Sequence, residues 1–349
     1  MELVDFSKCP ISNRHGIYGG QAGDKDGIIY NNEFWIVKFP KSTKSMKGDA
    51  LDAYTTSPLS EYLGSHIYQI LGYDTHDTLL GIRNGKIVVA CKDFCETRGA
   101  LAEVRTLKNA ANRQISEALG EDEIPVSLTG DSVNLNELFL HLNVNKLLSK
   151  KAIIERFWNT AVVDVFINNN DRNNGNWGLL FNEKKNRYVL APIYDNGNSF
   201  YNKMSEEKLK KLLMTGSCEK VFASSRTSFI LDGKELSPKA FMALDNGNLK
   251  DSLRRNVPLI EEKLPVIKKL IQSIPEKFGK HVVCSPGRKA IYSRMLDYNL
   301  ENVLLPAYRA ISIESVCGKL SEKKALVLAS DGSRQALKEP TRKQNTRSR

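Results

Sequence analysis

The segment 168–177, NNNDRNNGNW, constrains this chain more than any other stretch. Asparagine side chains compete for backbone hydrogen bonds, and Asn and Gly tolerate left-handed backbone. So dense a run of them makes a loop, not a helix or a strand. The loop follows a helical apolar pattern over 151–167. It precedes two strand-like runs, 178–181 and 187–193, with a turn at 182–186 between them. The second run ends in Tyr194, Asp195, Asn196 and Gly197. A helix, a polar loop and a hairpin in that order bring Asp171 and Asn176 to the place where Asp195 leaves the hairpin.

Two carboxylates and an amide oxygen are hard ligands of the kind Mg²⁺ needs when it carries triphosphate oxygens. A carboxylate left off the metal can accept a hydroxyl proton or orient a nucleophile. Asp-x4-Asn, followed after a hairpin by Asp-x-Gly, is the arrangement that runs phosphoryl transfer in protein kinases. Taken alone, Asp171 or Asp195 reads better as a turn residue or a strand-end cap. The joint pattern carries the chemistry.

Upstream, 33–39 reads EFWIVKF, a strand of aromatic and β-branched residues that contains Lys38. A lysine among such residues is costly to bury without an anion. Lys38 therefore faces solvent on an edge strand, or it meets a phosphate or a carboxylate. Glu61 can supply the carboxylate. It lies near the start of a helix opened by Ser57 and Pro58, striped by Leu59, Leu63, Ile67, Ile70 and Leu71, and ended by Gly72. A Lys–Glu pair that grips the α- and β-phosphates is the kinase solution. The glycine-rich stretch 16–27, GIYGGQAGDKDG, precedes the Lys38 strand. The backbone at Gly19, Gly20, Gly23 and Gly27 can approach phosphates closely. The stretch matches no standard phosphate-loop spacing, and its weight comes from standing upstream of Lys38. Glycine loop, strand lysine, helix glutamate, hinge, Asp-x4-Asn loop and metal aspartate follow one another in kinase order.

Two further strands, 78–82 and 86–92, are joined by Asn84 and Gly85 as a hairpin turn. Residues 1–95 thus read as a small β-rich lobe with one helix. Residues 96–318 read as a larger, mainly helical lobe, with helices expected over 97–119, 135–148, 151–167, 205–214, 237–244, 257–274 and 285–311. Residues 319–349 hold nine Lys or Arg against three acids and lack apolar periodicity, so a disordered basic tail is expected there. The tail supplies much of the net charge of +11. A basic surface favours phosphate-bearing partners but does not choose among them. Without interleaved aromatic residues the tail does not read as a single-strand nucleic-acid platform, and no nucleic-acid partner is expected.

No stretch approaches the ~18 apolar residues of a membrane-spanning helix. The first ten residues, MELVDFSKCP, do not read as a secretory signal, so the expected compartment is the cytoplasm. Six cysteines and five histidines fall in no zinc or disulfide pattern, and reduced thiols are expected.

Four segments carry a resemblance to a known family. They are EYLGSHIYQILG at 61–72, VVACKDF at 88–94, FWN at 157–159 running on to NNDRNNGN at 169–176, and LAPIYD at 190–195. Together they resemble the HipA-like kinase family, and in particular its shorter members of the cell-translocating kinase type, across residues 15–310. The resemblance implies an α+β, two-lobed protein-kinase-like fold and an ATP- and Mg²⁺-dependent serine/threonine protein kinase that also autophosphorylates. It implies Asp171 as the catalytic aspartate and Asn176 and Asp195 as Mg²⁺ ligands. Lys38 would hold the α/β-phosphates with Glu61 as partner, and the backbone of Lys92, Asp93 and Phe94 would meet adenine. The stretch from Gly19 through Gly20, Gln21 and Gly23 to Lys25 would cover the phosphates. Ser42, Thr43 and Ser45 lie near enough to the phosphate site to be autophosphorylation candidates. Two features depart from the family: no extra N-terminal subdomain is seen, and Asn173 stands where the family has a histidine. The first puts in doubt the antitoxin and DNA-associated complex of longer members. The rival readings are a lipid or small-molecule kinase of related fold and an ATP-binding pseudokinase that serves as an interaction module.

Overall fold

Hairpin chemistry builds the first lobe. In the computed structural model, which describes residues 3–13, 25–44, 46, 51–120, 124–128, 130–311 and 313, five strands lie in the order β1-β4-β5-β3-β2. They are β1 (Val4–Asp5), β2 (Lys25–Tyr30), β3 (Glu33–Lys38), β4 (Thr78–Arg83) and β5 (Lys86–Lys92). Asn31 and Asn32 turn β2 into β3, and Asn84 and Gly85 turn β4 into β5. All four residues have positive φ, as two-residue turns that match strand twist require. β1 joins β4 in parallel; the other pairs are antiparallel. Alternate residues Trp35 and Val37 on β3 enter a core with Phe6, Ile28, Val88 and Ala90.

Helix α1 (Ser57–Ile70) crosses behind this sheet. Pro58 pre-sets its first turn, and Gly72 at φ 80° ends it. Of the expected apolar stripe, Leu59, Leu63, Ile67 and Leu71 are buried, and Ile70 is half-buried. The polar residues Ser60, Glu61 and Ser65 are buried as well. They face the chain at 193–199, so α1 is enclosed between the lobes and its polar side becomes part of the cleft.

After the hinge come α2 (Cys95–Arg98), β6 (Ala100–Glu103), α3 (Val104–Leu119), β7 (Val133–Asn134), α4 (Leu135–Val144) and α5 (Lys151–Ile167). The helix expected over 97–119 is therefore broken. Gly99, at φ 123°, turns the chain into β6, which pairs with β8 (Gly178–Asn182). A Cβ at Gly99 would lie 2.2 Å from the Phe181 carbonyl oxygen, and one at Gly178 would lie 2.4 Å from that of Ala102. Long-range pairing decides this segment, and helical periodicity cannot register it. β8 continues into β9 (Arg187–Leu190), which gives the sheet β6-β8-β9.

The remaining elements are α6 (Glu206–Thr215), α7 (Cys218–Ala223), β10 (Phe229–Leu231), β11 (Lys234–Glu235), α8 (Pro238–Met242), α9 (Gly247–Ser273), the β12–β13 pair (Lys277–Phe278 and His281–Val282) and α10 (Pro286–Asn299). The helix expected from 257 starts at Gly247, capped by the Asn246 side chain, and contains Pro258 and Pro265. α10 passes into a π-helical turn, Leu300–Leu304, a shape that 3.6-residue periodicity does not announce. α5 is buried on every face from Phe157 to Ile167 and packs chiefly on α9. It is the rigid post that carries the polar loop. No helix among the described residues is long and apolar enough to cross a membrane. Cys9, Cys91, Cys95, Cys218 and Cys284 are free thiols, in line with the expectation.

Candidate active site

Asn168 ends α5 in left-handed backbone at φ 54°, a conformation Asn accepts more readily than most residues. The loop that follows is built around Arg172. Its Nε donates to Asp164 Oδ2 at 2.8 Å and its Nη2 to Asp164 Oδ1 at 3.0 Å. Nη1 donates to the carbonyls of Asn176 at 2.8 Å and Tyr194 at 2.5 Å, and Nη2 also to Asn196 Oδ1 at 2.6 Å. Asp164 accepts two more bonds, from Tyr68 Oη and Asn169 Nδ2. Arg172 is buried; desolvation opposes its charge, but Asp164 overrides this and holds its pKa above the ordinary arginine value. One guanidinium thus ties the end of the loop to both sides of Asp195.

Asp171 sits beside this anchor, partly exposed. Asn173 Nδ2 donates to Asp171 Oδ1 at 3.0 Å, and Asn176 Nδ2 donates to the Asp171 carbonyl at 2.5 Å. The second bond fixes the Asn176 amide with its oxygen directed away from that carbonyl. Burial raises the Asp171 pKa above the ordinary value, and the Asn173 bond partly counters this. Asn173, the departure noted in the sequence, therefore holds the Asp171 carboxylate.

Lys38 faces the cleft from β3. Its Nζ lies 2.8 Å from Asp195 Oδ1 and 3.3 Å from Glu61 Oε2. The solvent-facing alternative for Lys38 is thereby excluded. Burial works against its charge, but the two carboxylates outweigh burial and raise its pKa well above the ordinary lysine value. Burial likewise pushes the Asp195 and Glu61 carboxyls up; Lys38 reverses this at Asp195, and Lys38 together with His76 and a backbone N–H reverses it at Glu61, so both lie below their ordinary values. Asp195 itself takes left-handed backbone, φ 61°, and its N–H donates to Glu61 Oε1 at 3.1 Å. Aspartate tolerates that conformation better than most non-glycine residues, and three contacts fix it. Here Lys38 grips the side chain, Glu61 the N–H, and Arg172 the carbonyl just before it. Two glycines give room: a Cβ at Gly64 would stand 2.6 Å from Asn196 Cβ, and one at Gly197 would stand 3.2 Å from Glu61 Oε2.

The structure brings Lys38, Glu61, Asp171, Asn176 and Asp195 around one cleft between the lobes. Lys25 pairs with Lys38 across the β2–β3 ladder, and burial together with the Lys38 charge lowers its pKa. At the hinge, the Lys92 N–H donates to the Asp77 carbonyl and the Asp93 N–H to that of Phe34, both at 2.9 Å. Those two donors are occupied within the protein, so a base at this strand end would use other groups. The Lys92 side chain pairs with Glu33, and the Phe94 ring lies against Tyr194 and His76. Gly19, Gly20, Gln21, Gly23, Ser45 and the tail lie outside the described residues. Sequence reasoning missed His76, Asp164, Asn173 as a holder, and Asn196. His76, Asp164 and Asn196 are polar residues buried by contacts from distant parts of the chain, whereas Asn173 bonds within its own loop; only the arginine directly after Asp171 offered a local signal.

No family profile matches the chain. The fold is nonetheless similar to that of HipA-like kinases. The chain is 34% identical over 213 residues to the serine/threonine-protein kinase CtkA of Helicobacter pylori; the match covers 61% of this chain and 61% of that protein. It therefore spans less than two thirds of that curated relative. The crystal structure of the H. pylori proinflammatory kinase CtkA superposes with a TM-score of 0.74 at 28% identity, covering 89% of this chain and 99% of that one. HipA from Shewanella oneidensis MR-1, solved with HipB and operator DNA, shares the fold at a TM-score of 0.50 and 14% identity, covering 84% of this chain and 69% of that one. The α+β, two-lobed HipA-like fold is thus as expected, and the chain is similar to CtkA in sequence and structure.

Proposed function

We propose that the protein is a serine/threonine protein kinase that uses ATP with Mg²⁺. The observation that carries this reading is the cluster itself: Lys38 held between Glu61 and Asp195, with Asp171 and Asn176 on the facing loop. The donor set fits the metal. Asp195 Oδ1 is on Lys38 while the side chain stays 40% exposed toward the cleft, and the Asn176 amide is fixed through its nitrogen. Asp195 and the Asn176 oxygen would therefore hold Mg²⁺, a hard cation that takes oxygen ligands. Mg²⁺ bound there would offset charge on the phosphates.

This chain's own residues would do the rest. Lys38, charged at any physiological pH, would pair with the α- and β-phosphates. Asp171 would orient the acceptor hydroxyl and take up its proton as the oxygen attacks the γ-phosphorus and the bond to ADP breaks. Arg172 would keep the Asp171 loop and the Asp195 segment in register. The test is transfer from γ-labelled ATP with Mg²⁺ to a generic protein acceptor, with Lys38→Met and Asp195→Asn as controls. Label on protein hydroxyls, lost in both variants, is expected. Label in an organic-phase product, or ATP binding with no transfer, would replace this reading by the lipid-kinase or pseudokinase one.

A further inference from the structure

His76 lies on the connector between α1 and β4, and its side chain is 3% exposed. Its Nε2 stands 2.9 Å from Glu61 Oε1 and 3.1 Å from Ser65 Oγ. Its own N–H donates to the Ile193 carbonyl at 3.3 Å, in the segment that leads to Asp195, and its ring meets the edge of Phe94 at the hinge. Ser65 in turn accepts from Asn196 Nδ2 at 3.1 Å. The imidazole thus touches α1 and the hinge, while the backbone of the same residue holds the approach to Asp195.

Glu61 has two tasks that pull in different directions. Oε1 accepts the Asp195 N–H, and Oε2 faces the Lys38 ammonium. Oε2 is buried without a hydrogen bond of normal geometry and faces the Lys38 ammonium at a loose 3.3 Å. A carboxylate buried on such terms keeps its orientation only if its other oxygen is held firmly. Two donors hold Oε1, and the Asp195 N–H is one of them. The other is His76 Nε2, which must carry its proton to donate to an ionised carboxylate. Cys91 Sγ also lies in this group, its ligand atom within 4.8 Å of those of Glu61 and His76. Burial keeps that thiol protonated, and the cation of the group is already present as Lys38.

We propose that His76 is a positioning residue that fixes Glu61, and through it sets Lys38 for the nucleotide phosphates. The helix glutamate is then pinned from the hinge side as well as from the Asp195 backbone. Lys38 keeps a fixed counter-ion whether or not nucleotide is bound. This inference rests on the kinase reading for its catalytic consequence, but the His76–Glu61 coupling itself does not.

The experiment uses the full chain and four variants: His76→Ala, His76→Gln, Glu61→Gln, and His76→Ala combined with Glu61→Gln. A glutamine amide can place an N–H near the position of Nε2, whereas alanine cannot. Affinity for the non-hydrolysable analogue AMP-PNP with Mg²⁺ is measured by calorimetry, and transfer kinetics by label. Expected for His76→Ala is a tenfold or greater weakening of analogue binding and a matching rise in KM for ATP, with substantial rescue in His76→Gln. The double variant binds no more weakly than Glu61→Gln alone. A His76→Ala protein that loses thermal stability but binds the analogue like the parent would overturn the proposal, since its role would be packing alone. Additive effects in the double variant would overturn it too. If the parent binds the analogue but transfers no phosphate, the kinase reading fails, while the binding cycle still decides the role of His76.

Discussion

Replacing Asp164 by asparagine keeps the shape of the side chain and removes its charge. The carboxylate is surrounded by donors: Arg172 Nε on one oxygen, and Arg172 Nη2, Tyr68 Oη and Asn169 Nδ2 on the other. An amide in either orientation turns an NH₂ toward a donor. It also leaves the Arg172 guanidinium, 3% exposed, without its anion. Breaking one side of a buried ion pair costs about 3–5 kcal/mol. A typical fold has only about 5–15 kcal/mol in all, so Asp164→Asn is expected to remove about a fifth or more of the stability. Urea unfolding followed by tryptophan fluorescence reads this directly, because Trp177 lies on the loop and Trp158 on the helix that carries it. A double replacement, Asp164→Leu with Arg172→Met, removes both charges and is expected to regain part of the loss. It is not expected to regain phosphate transfer, because the carbonyls of Asn176 and Tyr194 lose the guanidinium that ties them together. A cost below about 1 kcal/mol for Asp164→Asn, the range of an exposed pair, would refute this account of the loop.

Three further expectations follow from single contacts. Asn173→Ala removes the hydrogen bond that opposes the burial-raised pKa of Asp171; the acid limb of the transfer rate should move to higher pH, and an unmoved limb would count against Asp171 as the base. Gly64→Ala drives a methyl to 2.6 Å from Asn196 Cβ, where something must shift; a loss of about 1–3 kcal/mol is expected, together with weaker nucleotide binding, and unchanged urea curves would contradict the close contact. Glu61 has a folded-state pKa held below its ordinary 4.5, so its contribution is present above that value and is lost as pH falls through the folded one. Below about pH 4.5 the parent should lose up to tenfold in its folding constant per pH unit relative to Glu61→Gln, and parallel stability curves would contradict the pairing.

The candidate site was legible where its residues are local. Asp171 and Asn176 share one loop, a hairpin returns the chain to Asp195, and Lys38 and Glu61 stand upstream in the order a nucleotide site needs. The strands with turn signals and the capped helix α1 could be read for the same reason. What could not be read depends on contacts between distant segments. β6 exists because β8 offers it a partner, so the periodicity over 97–119 ran straight through Gly99. α9 passes two prolines because its apolar face is held against α5. His76 and Asp164 look like any polar residue on an unremarkable stretch until the fold buries them against Glu61 and Arg172. The occupied N–H groups of Lys92 and Asp93 are likewise a fact of strand pairing and chain reversal, invisible in the residue types.

The central claim is that the cleft between Lys38 and Asp171 transfers the γ-phosphate of ATP to a protein hydroxyl. The most direct measurement is single-turnover transfer from γ-labelled ATP by the parent chain and by Asp171→Asn, with nucleotide affinity measured on the same samples. The account predicts that Asp171→Asn binds ATP with Mg²⁺ as the parent does, because Lys38, Asn176 and Asp195 are untouched, while labelled protein falls by at least about a hundredfold, the scale of a lost general base. Equal labelling by the two proteins would contradict it.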